Sequence, residues 1–293
     1  MNIMRLFSLL PLIFIVACKS NPTKVTEGAP SAWATRLQET TKKPLKLSNE
    51  TVVLDSRSEF DYGLAHWSSS VRFTWEQLVQ DARKPWLMLD KLTAQKRLAL
   101  MGIQPNTPVV VIGYGHKGKG DEGRLAWSLV YYGINNVQTV SVDGMDVYFT
   151  HDETPQRPNT AVWDAPVREN LAMDRGEFIQ VATSPRKTAT HTNYIVDVRS
   201  KDEYFNKTTV DYETPDLHAL QIDWHEFYGG DGRPAKAIRS KLHSVGVKAE
   251  DEIVLISSDS IRSSAAAYAL IALGFKDVKN FLNGWDSLVK QKK

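Results

Sequence analysis

The chain of 293 residues has a single cysteine, Cys18, so no intrachain disulfide can staple it. It has no dense basic stripe. A formal net charge of +2, from 36 basic and 34 acidic residues, gives no reason to expect nucleic-acid binding. The seven histidines, His66, His116, His151, His191, His218, His225 and His243, show no metal-ligand spacing. Each reads as a structural or surface group, and no metal is expected. The apolar run Leu6 to Ala17 falls short of the ~20 residues that span a bilayer and fits a signal-peptide core instead. What remains is ordinary globular composition, 42% hydrophobic and 24% charged, with length enough for two domains.

Arg5 precedes that apolar run, and Ile15-Val16-Ala17-Cys18 ends it. This ending resembles the bacterial lipobox, in which the cysteine is acylated and becomes the mature N-terminus. The resemblance implies a signal peptide over 1–17, lipid attachment at Cys18 and a bacterial membrane as partner. It places the protein in the cell envelope. Lys19 follows the cysteine where an Asp would suggest inner-membrane retention, so the periplasmic side of the outer membrane is favoured. An uncleaved anchor and a plain secretory signal with an incidental cysteine are the alternatives. Residues 18–48 are polar, with Pro22, Pro30 and Pro44, and read as a tether with a short helix around Trp33 to Gln38.

The rest of the chain repeats itself. Val52-Val53-Leu54-Asp55-Ser56-Arg57-Ser58 matches Tyr194-Ile195-Val196-Asp197-Val198-Arg199-Ser200, each a strand ending in Asp-x-Arg-Ser before an acidic helix start. Met101-Gly102-Ile103 with Val109 to Ile112 corresponds to Val245-Gly246-Val247 with Ile253 to Ile256. Tyr132-Gly133-Ile134 matches Leu273-Gly274-Phe275. Strands alternating with helices in this rhythm predict an α/β fold of two units, each a mainly parallel sheet flanked by helices. The units span 49–150 and 175–293. Between them, 151–174 carries Pro155, Pro158 and Pro166 and reads as a linker.

Each unit has a loop from a buried strand into a helix. In the second, Ile253 to Ile256 is the strand, and Ser257, Ser258, Asp259, Ser260, Ile261 and Arg262 form the loop. Backbone N–H groups at such a turn converge, and with the helix dipole and Arg262 they make an anion cradle for a small sulfur- or phosphorus-containing anion. Asp259 opposes that reading. In the alternative, Arg262 ties the loop down and the serines satisfy backbone groups. The first loop, Gly113 to Arg124, contains Gly113-x-Gly115-x-x-Gly118, yet it does not open its unit as a dinucleotide fingerprint would. A phosphate loop needs Ser or Thr after Lys119, and Gly120 stands there. No nucleotide or other cofactor is expected. The repeat instead sets Gly113 beside Ser257 and Arg124 beside Arg262.

The two Asp-x-Arg-Ser strand ends, the strand-loop-Arg-helix unit and the closing Asn283-Gly284-Trp285 together resemble tandem rhodanese-like proteins, the thiosulfate and mercaptopyruvate sulfurtransferases. The resemblance implies an inactive first domain, a catalytic second one and an active site in the cleft between them. A cysteine opens the family's active loop and carries sulfur as a persulfide; Ser257 holds its place here. A serine hydroxyl is scarcely ionised, needs a neighbouring base and cannot hold sulfane sulfur. The first loop keeps Gly113 where tandem relatives have an acidic residue. The expected function is a sulfurtransferase-inactive module that binds an anion or sulfur compound, or regulates. The alternatives are a family enzyme with altered chemistry and a docking protein for an unknown partner. Asp55, Arg57, Asp197 and Arg199 are expected to pair internally. Trp224, Phe227 and Tyr228 are expected in the core or the cleft.

Overall fold

The computed structural model describes residues 31–45, 47–144, 149–150, 159–184, 192–205, 212–213 and 216–291. The expected signal peptide, Cys18, His151 and His191 lie outside the described residues. In the first half the order is α1 (Ala32–Lys42), β1 (Val52–Asp55), α2 (Glu59–Leu64), β2 (His66–Trp67), β3 (Ser70–Arg72), α3 (Lys91–Leu100), β4 (Val109–Gly113), α4 (Asp121–Tyr131), β5 (Val137–Ser141) and β6 (Phe149–Thr150). The second half continues with β7 (Ala172–Met173), α5 (Arg175–Thr183), β8 (Asn193–Asp197), α6 (Lys201–Phe205), β9 (Tyr212–Glu213), β10 (Leu220–Gln221), α7 (Ala237–Ser244), β11 (Glu252–Ile256), α8 (Ile261–Leu273), β12 (Asp277–Phe281) and β13 (Lys290–Gln291).

Two parallel sheets result, in the orders β3-β1-β4-β5 and β10-β8-β11-β12-β7. The fold is α/β, as expected. The central strands β1, β4 and β11 are buried along their whole length, which is why they read as continuous apolar runs without alternation. Asp55 pairs with Ile112 and Asp197 with Ile256, so register alone makes Gly113 and Ser257 equivalent. Both strand-end ion pairs form: the Arg57 guanidinium lies 2.7 Å from the Asp55 carboxylate, and Arg199 lies 2.6 Å from Asp197.

The units meet through α4 and α8. Residues Glu122–Val130 of α4 and Ser263–Ala272 of α8 are buried, and the alanines of α8 let the helix axes approach. Backbone seals the contact: Ser141 N–H donates to the Asp231 carbonyl at 2.7 Å, and the Thr139 hydroxyl donates to the Gly232 carbonyl at 2.8 Å. Gly232 has φ +74°, and a Cβ there would stand 2.2 Å from the Ser141 nitrogen, so only glycine fits.

In the stretch read as a tether the expected short helix forms, as α1, and it is docked on the domains. Helix α1 packs on α8 with Leu37 fully buried, Trp33 lies 4.0 Å beneath the Arg168 guanidinium, and Arg233 donates to the Thr41 carbonyl at 2.7 Å. One buried leucine on a polar helix is too thin a stripe for its docking face to show. The stretch read as a linker is docked too. Trp163 Nε1 donates to the Ile103 carbonyl and Gln95 Nε2 to the Ala165 carbonyl, each at 2.8 Å, holding it against the first unit. Ala172–Met173 already belongs to the second sheet as β7, beside β12. No helix among the described residues is long and apolar enough to cross a membrane.

Candidate functional site

Strand β11 ends at Ile256, and the chain turns through Ser257–Ser260 into α8. Ser260 caps the helix at φ +69°, an unusual conformation for a non-glycine residue, so Ile261 and Arg262 already belong to the helix rather than to the loop. The structure brings the six expected residues together, and it engages their donors internally. Ser257 is fully buried; its hydroxyl donates to Ser263 Oγ at 3.1 Å and accepts the Ser263 N–H at 3.2 Å. The Ile261 N–H donates to Asp259 Oδ1 at 3.1 Å. Two first-turn amides of α8 thus already have side-chain acceptors from the loop itself.

Arg262 is likewise committed. Its two terminal nitrogens donate to the two Glu203 carboxylate oxygens at 2.7 Å each, a bidentate pair, and one also meets Ser258 Oγ at 3.2 Å. The Arg262 hydrogen bonds hold the Glu203 carboxyl down at about 2. The stabilisation from this pair is present above the ordinary glutamate range and is lost as pH falls toward about 2. Half-exposure and solvent screening keep that contribution small. The closing Asn283-Gly284-Trp285 lies over the loop. Trp285 N–H donates to the Ser257 carbonyl at 2.7 Å, and a Cβ on Gly284 would meet the Ser258 oxygen at 2.2 Å. Asp286 follows, its carboxyl pushed up by burial and by Asp259. Asp259, Asp286 and Glu203 surround Arg262, and this acidic surround opposes an incoming anion.

The equivalence of Arg124 with Arg262 is corrected. Counted back from the helix-ending Gly133 and Gly274, Asp121 stands opposite Arg262, and Arg124 lies a turn deeper. The two loops differ in length, so counting from the strand ends alone could not show this. Arg124 is fully buried between the units. It donates to Ser264 Oγ at 2.6 Å and to the Pro85 carbonyl at 2.7 Å, and lies 5.0 Å from the Trp127 ring. Among the described residues no carboxylate pairs with it; burial brings its pKa down to about 10, which leaves it charged at neutral pH. It stitches the units together.

Sequence reasoning also missed Glu122. Its side chain fills the space a Cβ on Gly113 would take, as Ser263 folds against Ser257 in the second unit. Oε1 accepts the Gly115 N–H at 3.0 Å, Oε2 has no partner, and burial pushes the carboxyl up to about 7. No sequence signal marked it, because an acidic residue in the first turn of a helix, here beside Asp121 and Arg124, is the ordinary solvent-facing pattern. Trp224, Phe227 and Tyr228 are buried, and Tyr228 Oη, donating to the Ala265 carbonyl at 2.7 Å, sits where a Cβ on Gly123 would go. No group of His, Cys, Asp and Glu among the described residues could hold a metal.

The Rhodanese-like domain family matches residues 182–291, so the second unit is rhodanese-like. No curated protein matches the chain in sequence. Among solved structures it is similar to wild-type EanB, with 18% identity and a TM-score of 0.65, over 88% of this chain and 66% of that one. The anaerobic ergothioneine biosynthesis enzyme from Chlorobium limicola, in complex with its natural substrate trimethyl histidine, gives 18% identity, the same TM-score and the same coverage. A persulfide form of EanB with ergothioneine matches at 17% identity and a TM-score of 0.65, over 88% of this chain and 67% of that chain. The likeness is one of fold, and the chain spans about two thirds of the EanB chain.

Proposed function

We propose that this protein is a tandem rhodanese-like, lipid-anchored envelope protein that carries no sulfur and acts as a binding or regulatory module. The observation that carries the reading is Ser257. An oxygen stands at the strand end, fully buried and engaged twice with Ser263, where sulfur transfer needs an ionisable, accessible thiol. The rhodanese-like match and the fold shared with EanB, one structure of which holds a cysteine persulfide, support descent from sulfur-handling proteins.

Anion capture at the second loop is the weaker form of this reading, because Glu203 already occupies Arg262. Thermal-shift titration with thiosulfate, sulfate and phosphate is expected to give the same response for the native chain and Arg262→Ala. A response lost in the variant would restore the loop as an anion site. Anchoring rests on the lipobox-like Ile15-Val16-Ala17-Cys18. A fatty-acid label fed to the cells should enter the native chain and not Cys18→Ser. Label in neither chain would show that Cys18 is not a lipid-attachment site.

A further inference from the structure

In the second unit the Glu203–Arg262 pair spans the front of the loop; in the first, the Tyr114 hydroxyl meets Asp61 instead and no arginine crosses. Asp61 follows Asp55 at the spacing by which Glu203 follows Asp197, yet the helix residue opposite is Asp121 rather than an arginine. Tyr114–Gly120 separates Gly113 from α4, where only Ser258–Ser260 separates Ser257 from α8. Between this longer loop and the C-terminal ends of β1 and β3 lies a cavity of about 480 Å³. That is the end of a parallel sheet at which α/β folds take ligands, and the size suits a small molecule.

The lining chemistry is specific. Arg72 pairs in register with Asp55, as Gln221 pairs with Asp197. Both side chains make the same clamp: Arg72 Nε donates to the Arg57 carbonyl at 3.3 Å, and Gln221 Nε2 donates to the Arg199 carbonyl at 2.9 Å. An amide therefore suffices for the structural task, and in the first unit a guanidinium performs it with two nitrogens to spare. Lys119, from the extra loop residues, lines the same cavity, and neither cation is ion-paired among the described residues. Lys117 is spent on Asp143 at 2.7 Å. Facing these cations are Glu76, Asp61 and Asp121; Asp121 accepts from Trp75 Nε1 at 2.9 Å, and Asp61 accepts from the Ser58 and Tyr114 hydroxyls and keeps acceptor capacity to spare. A multiply charged anion would meet these carboxylates, and a simple cation would meet Arg72 and Lys119. A molecule bearing both charges meets neither conflict.

We propose that this first-unit cavity binds a small zwitterion of the amino-acid type, its carboxylate held by Arg72 and Lys119 and its ammonium by Glu76 and Asp61. The site is independent of sulfur transfer: turnover in the native chain would end the proposal of inactivity and leave this one standing.

The test titrates the full chain with the proteinogenic amino acids at millimolar concentration, following the melting temperature and then calorimetry on any that raise it. At least one is expected to stabilise the native chain more than its counterparts lacking the amine or the carboxylate do. Arg72→Gln, which installs the second unit's own residue, should leave the free protein's melting temperature unchanged and weaken binding about tenfold or more. Lys119→Gln, at an exposed position, should weaken it in the same direction and serves if Arg72→Gln does not fold. The proposal is overturned if no amino acid stabilises the chain, if either half-molecule does as well, or if binding survives both substitutions.

Discussion

Gly123→Val is expected to lower the melting temperature by about 6 °C or more, from a loss of about 3 kcal/mol. Gly123 lies on α4 at its closest approach to α8. Even a Cβ there would stand 2.4 Å from Tyr228 Oη, 2.5 Å from Ala265 Cβ and 2.9 Å from Ala265 Cα. The last of these cannot swing away, because it belongs to the backbone of a buried helix. The two helices must part, and with them goes the Tyr228 hydrogen bond to the Ala265 carbonyl. Gly63, in α2, has nothing within 4 Å of where a Cβ would stand, so Gly63→Ala should leave stability nearly unchanged. Equal effects of the two substitutions, read by thermal denaturation, would contradict the packing of α4 on α8.

Glu122→Gln should change how stability depends on pH. The Glu122 carboxyl titrates at about 7 in the folded protein because burial disfavours its charge. The unfolded chain releases that proton in the ordinary glutamate range, so between the two values the folded state holds the extra proton. Stability therefore falls as pH rises through this window, by about 3 kcal/mol at its upper end. A glutamine keeps the acceptor for the Gly115 N–H and has no charge to bury. The variant should match the native chain near pH 4.5 and exceed it at pH 8, values chosen to bracket the shift. Parallel stability profiles for the two proteins would show that Glu122 does not titrate in this way.

The sheets were legible because they rest on local signals that occur twice. The β-branched runs at Val52 and Val109, and the paired Asp-x-Arg-Ser strand ends, carry their geometry within a few residues. The strand-end register then made Ser257 and Gly113 readable as equivalents. What escaped depends on residues distant in sequence. Glu203 reaches Arg262 from another helix start, and no spacing announces that pairing. Gly284 closes over Ser258 through a backbone contact visible only once both strands are in place. Arg124 was misplaced because the first loop is longer, and only the helix ends preserve the count. The helix around Trp33 to Gln38 was legible as α1, but its docking was not, because a single buried residue, Leu37, anchors it.

We propose that the second loop keeps a rhodanese-like frame without a sulfur-carrying atom. Thiosulfate:cyanide sulfurtransferase activity of the native chain, measured beside Ser257→Cys, tests it most directly. No turnover by the native chain is expected, whatever the variant does. Turnover by the native chain would contradict it.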